Sequence, residues 1–403
     1  MGQEEKSSQS VLVLNCGSSS VKFSLIDIDS NNQIVGGLAE YLNTAKARIN
    51  WKNGAASGVE TLPDPTHRGA LSVIDKILQP FFAKTNLHGI GHRVVHGGEY
   101  FTASTVIDDK VISILKECSK FAPLHNPANI LGIESSIDLF PKLPQVAVFD
   151  TAFHQTMPAY IYNYALPYEW YENHKLRRYG FHGTSHRYVT NRCAELLNKP
   201  LASLALVSAH LGNGCSASAV LNGKSIDTTM GFTPLEGLVM GTRCGDVDPS
   251  IAEFIAHEEN LTIEAVTNIF NKKSGLLGIS GVSHDMRELL EASNAGNERA
   301  TLAIDIYCYR LAKHLAGLVV PLGQRVDALI FTGGVGENSW YIRDKVLQNL
   351  KFFNFLVDDK ANKENGKSTN GRITLPGSPL AVVVATNEEG MIARDTMDVI
   401  NKN

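Results

Sequence analysis

Apolar runs with strand spacing alternate with helical stripes along the whole chain. Val11 to Leu14 is a short β-branched run that stops at Asn15-Cys16-Gly17-Ser18-Ser19-Ser20, and Lys22 to Ile28 then alternates as a second strand. Gln33 to Tyr41 supplies a third strand, Val73 to Ala83 has helical spacing, and Gly89 to Val95 reads as a buried strand. Asn129 to Phe140 reads as a helix, and Gln145 to Phe149 as a strand ending at Asp150. Strands and helices interleaved in this way predict an α/β architecture.

The second half repeats the opening phrase. Leu204 to Ser208 is a buried strand, followed by the turn His210-Leu211-Gly212-Asn213-Gly214-Cys215 and a returning strand from Ser216 to Leu221. Two strand–glycine turn–strand units in one chain predict a duplicated nucleotide-handling core. A third glycine turn, Thr332-Gly333-Gly334-Val335-Gly336-Glu337-Asn338, follows the strand Ala328 to Phe331 and leads into a helix over Tyr341 to Asn349. Asp358 to Arg372, dense in Lys, Asn, Asp and Gly, reads as an exposed loop or hairpin tip. Leu380 to Ala385 is a last strand, and Met391 to Val399 a terminal helix. The expected division is an N-terminal lobe over 1–153, rejoined by the closing helix in 387–403, and a C-terminal lobe over 154–386.

Composition narrows the class. The 403 residues are 43% hydrophobic and 19% charged, enough for a buried core and unlike a disordered chain. No apolar run approaches the ~18 residues that span a bilayer, and the polar start, Met1 to Ser10, lacks a secretory h-region. A net charge of −4 gives no reason to expect nucleic acid or an anionic membrane as partner. The six cysteines show no Cys-x-x-Cys and no pairing rhythm, as expected of a cytoplasmic protein without a disulfide framework.

Five stretches can carry chemistry. Asn15 to Lys22 sets small residues, backbone N–H groups and a lysine at a strand end, which suits a phosphate as well as a plain hairpin. It is not a P-loop. His92-Arg93-Val94-Val95-His96-Gly97-Gly98 presents a guanidinium beside open backbone, suited to a carboxylate or phosphate, while His92 and His96 read as core histidines. Arg178-Tyr179-Gly180-Phe181-His182-Gly183-Thr184-Ser185-His186 and Gly241-Thr242-Arg243-Cys244-Gly245-Asp246-Val247-Asp248-Pro249 place a His and an Arg among glycines. A zinc reading of His182 and His186 lacks a carboxylate in helical register and falls in a glycine-containing loop. Two arginines, a histidine and a phosphate cradle, with no nucleophile–base pair, point to phosphoryl transfer. Thr386-Asn387-Glu388-Glu389 adds carboxylates suited to Mg²⁺ or to a helix N-terminus.

Together these stretches resemble the acetate kinase family of the acetate and sugar kinase/Hsp70/actin superfamily. The resemblance runs over about residues 11–396 and includes Phe149-Asp150-Thr151-Ala152-Phe153-His154 and His210-Leu211-Gly212-Asn213-Gly214 besides the motifs above. It implies a homodimer of duplicated two-lobed, ribonuclease H-like (actin-like ATPase) subunits, each with a central cleft, and a nucleotide-binding C-terminal lobe that also forms the dimer interface. The implied reaction is reversible, Mg²⁺-dependent transfer of the γ-phosphoryl group of ATP to acetate, giving acetyl phosphate and ADP. Mn²⁺ is the implied substitute for Mg²⁺.

The resemblance assigns Mg²⁺ to Asn15 and Glu388, and ATP phosphates to Ser18, Ser20, Lys22 and His210, Leu211, Gly212, Asn213 and Gly214. The adenosine side falls to Asp285, Met286 and Arg287 and to Gly333, Gly334, Val335, Gly336 and Glu337. Arg93 would bind the acyl substrate, and Val95, Leu124, Phe181 and Pro234 would form its methyl pocket. His182 and Arg243 would stabilise the transition state, and Asp150 is the family's catalytic acidic residue. A small carboxylic acid titrates near pH 4 and is already ionised at pH 7, so it needs no general base. Asp150 is therefore expected to orient an Arg or the metal shell, and transfer to be direct and in line. Two other readings remain: a propionate or butyrate kinase of the same fold, and an Hsp70- or actin-like ATPase.

Overall fold

The computed structural model describes residues 8–82, 85–323 and 325–402. Met1 to Ser7 of the polar start, and Ala83 at the end of the first expected helix, lie outside the described residues. The chain divides into two compact units, one reaching to Phe153 and resuming at Asn387, the other running from His154 to Thr386.

The first unit is built on strands β1 (Ser8–Gly17), β2 (Ser20–Asp27), β3 (Gln33–Glu40), β4 (Arg48–Lys52), β5 (Ser57–Thr61), β6 (Thr85–Val94), β7 (Thr105–Val106) and β8 (Gln145–Phe149). Their order in the sheet is β5-β4-β3-β2-β1-β6-β8-β7. The second unit carries β9 (Ala205–Leu211), β10 (Cys215–Leu221), β11 (Lys224–Thr228), β12 (Ala328–Thr332) and β13 (Ala381–Val383) in the order β11-β10-β9-β12-β13. Each sheet holds an antiparallel three-strand meander followed by two parallel strands: β3-β2-β1-β6-β8 in one, β11-β10-β9-β12-β13 in the other. The repeated strand–turn–strand phrase is thus a repeated topology.

Alternation along β1 explains how its sheet is covered on both faces. Leu12 and Leu14 pack with Leu71, Ile74 and Leu78 of the helix His67–Phe82, while Val11 and Val13 meet Ile392, Ala393 and Met397 of the C-terminal helix Glu388–Ile400. That helix can approach β6 because residue 91 is glycine. A Cβ there would collide with Thr396 and Ile392.

Two local expectations are corrected. The first hairpin does not open at Asn15: β1 continues to Gly17, Asn15 pairs with Lys22, and only Ser18-Ser19 form the turn. The stretch from Asp358 to Arg372 is not an exposed tip. It contains the helix Asp359–Lys363 with Ala361 and Asn362 buried, because it closes over the fully buried Arg343. The Arg343 guanidinium donates to Asn362 Oδ1 (2.8 Å), Asn362 O (2.6 Å) and Asn365 Oδ1 (2.7 Å), and also to the carbonyls of Gly336 (2.9 Å) and Glu337 (3.0 Å). Burial pushes its pKa down to about 10.

His92 is buried in β6 with Nε2 2.7 Å from Gln145 Oε1. Burial, against the opposing bond to Gln145, lowers its pKa to about 4, and His186 is lowered in the same direction. An unfolded chain takes up these protons below pH ~6.5, whereas native His92 resists until about 4, so stability falls as pH drops through that window. For His92 alone the loss should be about 2 kcal/mol by pH 5 and about 3 by pH 4. Scanning calorimetry at pH 7.5 and 5.0 should show a larger fall in unfolding midpoint for the wild type than for His92→Gln. Equal falls would contradict this assignment.

Candidate functional site

In the first unit the chemistry gathers where β1, β2, β6 and the C-terminal helix begin or end. A cavity of about 100 Å³ is lined by Asn15, Lys22, Arg93, Glu388 and Glu389, with Val13, Phe23, Ser24 and Ile392. Asp150, almost fully buried directly after β8, accepts two parallel bonds from Arg93: Nε to Oδ1 at 2.9 Å and Nη2 to Oδ2 at 2.7 Å. Such a fork fixes the guanidinium plane. Burial alone would lower the Arg93 pKa, but Asp150, then Glu388 and Glu389, hold it above its ordinary value. The arginine therefore stays charged, with Asp150 bonded to it through both carboxylate oxygens.

The two C-terminal glutamates are separated by their partners. Glu389 forms an ion pair with Lys22. Glu388 opens the helix whose cap is Asn387, with the Asn387 side chain accepting from Gly390 N at 2.9 Å. A carboxylate from Glu388 and an amide oxygen from Asn15 on one cavity are a hard, oxygen-only donor pair, which fits Mg²⁺ with water and phosphate as its remaining ligands. No cluster of three or more His, Cys, Asp or Glu suited to a metal occurs among the described residues. Ser18 lies in the exposed hairpin turn and Ser20 at the start of β2, and neither lines this cavity.

Val95 is not on β6, which ends at Val94; it is half-buried, and its N–H donates to Asn129 Oδ1 at 3.1 Å. Leu124 is 55% exposed in the turn before the helix Asn126–Leu139. Two buried residues of that helix, Asn126 and Asn129, were missed by sequence reasoning. Asn126 brackets His96 by bonds to both its N–H (3.1 Å) and its carbonyl (2.9 Å), and Asn129 also donates to Cys16 O at 2.7 Å. They clamp the turn after Arg93 to the end of β1. Their signal was a pair of asparagines at a helix start facing a glycine-rich turn.

In the second unit, His182 and Arg243 meet around Gly214. A Cβ on Gly214 would lie 3.4 Å from both Arg243 Nη1 and His182 Cε1. Arg243 Nη1 donates to Pro234 O at 3.2 Å, and Gly241 N to Asn213 O at 2.9 Å, so three of the motifs form one corner. Phe181, expected in the methyl pocket, is buried and directly precedes His182 in the chain. His182 and His186 do not lie in a loop: His186 is in the first turn of the helix Gly183–Leu197, and His182 caps it in the left-handed region (φ 56°). Both ring nitrogens of His186 are engaged by serines. His210 and Leu211 end β9, the ring of His210 lying 4.4 Å from that of His182, while Leu211 is fully buried.

A second cavity in this unit, about 570 Å³, is lined by Gly212, Asn213, Asp285, Met286, Arg287, Gly334 and Val335. It brings Gly212 and Asn213, expected at the phosphates, together with most of the expected adenosine residues, and adds Tyr307, Trp340 and Tyr341. Asp285 caps the helix Met286–Asn294 and binds the Arg287 guanidinium (2.6 and 3.1 Å), which holds its carboxyl down at about 2. Gly333 (φ 75°) and Gly336 pack over Leu211 instead of lining the cavity; at Gly333 a Cβ would meet the Leu211 backbone at 2.8–2.9 Å. Glu337 is also turned inward, its Oε1 accepting from Gly333 N (3.0 Å), Thr386 N (3.0 Å) and Thr332 Oγ1 (3.3 Å). Its carboxylate braces the helix Gly333–Asn338.

The chain matches the model of the acetokinase family over residues 10–394. The chain belongs to the acetokinase family. Among curated relatives, the acetate kinase of Shewanella sp. (strain W3-18-1) is 53% identical over 400 residues, covering 98% of this chain and all of that one. A propionate kinase structure from Francisella tularensis aligns with TM-score 0.92 at 44% identity, covering 97% of this chain and 100% of that one. An acetate kinase structure from Porphyromonas gingivalis aligns with TM-score 0.90 at 43% identity over the same shares. The duplicated α/β fold of the acetokinase family chain is accordingly of the actin-like ATPase type.

Proposed function

We propose that this protein is an ATP:acetate phosphotransferase, forming acetyl phosphate and ADP reversibly by direct in-line transfer. Near-full-length 53% identity to curated acetate kinases carries the reading. The Arg93–Asp150 fork supports it, because a fixed guanidinium in a small cavity is what a short carboxylate requires. An ATPase coupled to protein binding has no use for it.

Arg93 holds the acid's carboxylate, and Asp150 holds Arg93. Asn15 and Glu388 would hold Mg²⁺, or Mn²⁺ in its place, which neutralises phosphate charge when bound. Ser18, Ser20, Lys22 and His210 to Gly214 serve the phosphates of ATP. The cavity at Asp285 to Arg287, Gly334 and Val335 takes the adenosine, with Gly333, Gly336 and Glu337 shaping its wall from behind. Arg243 and His182 donate to the phosphoryl group as its charge spreads in the transition state. Val95, Leu124, Phe181 and Pro234 contribute the methyl pocket. Unpaired cysteines at all six positions suit a reducing cytoplasm. The exposed Ile251, Phe254 and Tyr309 of the second unit support a homodimer formed through that unit. No helix among the described residues is long and apolar enough to cross a membrane.

The propionate kinase likeness keeps chain length of the acid as the open choice. Half-buried Val95 leaves room for a methyl group and crowds an ethyl. A methylene misfit is worth ~10–200-fold in kcat/KM, so acetate should exceed propionate, with butyrate poorer still. Val95→Ala should shift the ratio towards propionate, chiefly through KM. Initial rates of ADP release with each acid, with acyl phosphate trapped by hydroxylamine, test both points. An unchanged ratio would remove Val95 from the pocket. A wild-type preference for propionate would replace acetate as substrate.

A further inference from the structure

His182 can donate to a phosphoryl group only if the ring nitrogen facing it carries a proton. Its Nδ1 lies 2.9 Å from Ser216 Oγ. The same hydroxyl lies 2.7 Å from His186 Nε2, and His186 Nδ1 lies 2.8 Å from Ser208 Oγ. Ser208, His186 and Ser216 are all fully buried.

The direction of these bonds follows from counting protons. Each hydroxyl has one, and leaving it unpaired in the interior is costly. Among the described residues Ser208 Oγ has His186 as its hydrogen-bond partner and no other. Ser208 therefore donates to His186 Nδ1. Burial, reinforced by His154 and His210, holds His186 well below the ordinary histidine pKa, so the ring is neutral and its single proton sits on Nε2. That proton goes to Ser216 Oγ, and the Ser216 proton goes on to His182 Nδ1. Reversing either bond of His186 would strand the Ser208 hydroxyl, and reversing the Ser216–His182 bond would strand that of Ser216.

A second set of bonds holds the backbone at the same place. His182 has left-handed φ, and the carbonyl before it, on Phe181, accepts from His154 Nε2 at 2.9 Å. His154 Nδ1 faces Ser225 Oγ at 2.7 Å. Ring and main chain of His182 are thus set independently.

We propose that Ser208, His186 and Ser216 form a one-way relay that fixes His182 as a neutral ring protonated on Nε2, ready to donate a hydrogen bond without a full charge. The role of that bond rests on the phosphoryl-transfer reading above. The tautomer itself does not. Charged and titratable groups near the relay are His154 and His210 at His186, and His210 and Arg243 at His182.

The test is long-range ¹H–¹⁵N correlation on the whole protein labelled with ¹⁵N-histidine, at pH 7.5 without substrates. His182 and His186 are assigned by the signals lost in His182→Gln and His186→Gln. Both rings should show a protonated Nε2 and a bare Nδ1. A protonated Nδ1 on either ring, or a doubly protonated His182, overturns the relay, whatever acid the enzyme uses. Kinetically, Ser216→Ala should lower kcat about 10- to 100-fold through the misplaced ring, with both KM values within about twofold. A folded Ser216→Ala with unchanged kcat also overturns the positioning role. If that variant does not fold, the wild-type spectrum decides.

Discussion

Asp150→Asn is expected to reduce kcat/KM for acetate by about 10²- to 10³-fold while leaving the KM for ATP nearly unchanged. Removing one partner of a buried, doubly bonded pair costs about 3–5 kcal/mol, because the other charge is left without its counter-ion. The amide that replaces a carboxylate oxygen also turns an N–H towards an Arg93 N–H, so the fork is lost as well as the charge. Substrate acetate is already ionised at neutral pH, and the arginine that would receive it becomes mobile. The expected signature is therefore a raised acetate KM together with a lowered kcat. A general base would behave differently. Its loss would lower kcat alone, and the wild-type rate would fall on an acidic limb set by that carboxyl. Steady-state kinetics of wild type and variant, with acetate and ATP varied separately, separate the two accounts.

Arg243→Ala is expected to lower kcat by at least ~10²-fold, within the range for a lost charge-stabilising donor. Arg243 sits on a turn tied to neighbouring segments, with Leu276 N bonded to Met240 O at 2.9 Å and Leu277 N bonded to Gly241 O at 3.0 Å. Its side chain is held by Pro234 O beside Gly214 and His182. These bonds hold Arg243 in place from within the fold, and preorganised donors are what stabilise charge that develops during reaction. Arg243→Lys should recover little, since an ammonium cannot keep the bond to Pro234 and also present a planar fork. A variant altered only in nucleotide KM would show that Arg243 is a binding residue and not part of the transition-state clamp.

Much of this site could be read from residue order alone. Strand spacing and two glycine turns announced the duplicated sheets, and the Arg93 and Arg243 motifs stood among glycines that leave room for a ligand. What could not be read depended on partners distant in sequence. Asn15 looked like turn because Asn and Gly favour turns, yet it pairs with Lys22 and the ladder continues to Gly17. Asp358 to Arg372 looked solvated because its composition is polar, whereas the buried guanidinium of Arg343 needs polar partners. Glu337 is set on the adenosine side by resemblance alone, and its bonds to the backbone N–H of Gly333 and Thr386 have no signal in its own stretch of sequence. Val95 and Leu124 could be placed in a pocket only by resemblance. Nothing in their own spacing says that one is half-buried past a strand end and the other 55% exposed.

The most direct test of the central claim is ³¹P NMR of the purified protein with ATP and Mg²⁺, recorded with and without acetate. With acetate, an acetyl phosphate resonance should grow in step with ADP while inorganic phosphate stays low, and without acetate the ATP signals should persist. ATP loss to inorganic phosphate at the same rate in both samples, with no acyl phosphate signal, would contradict the account.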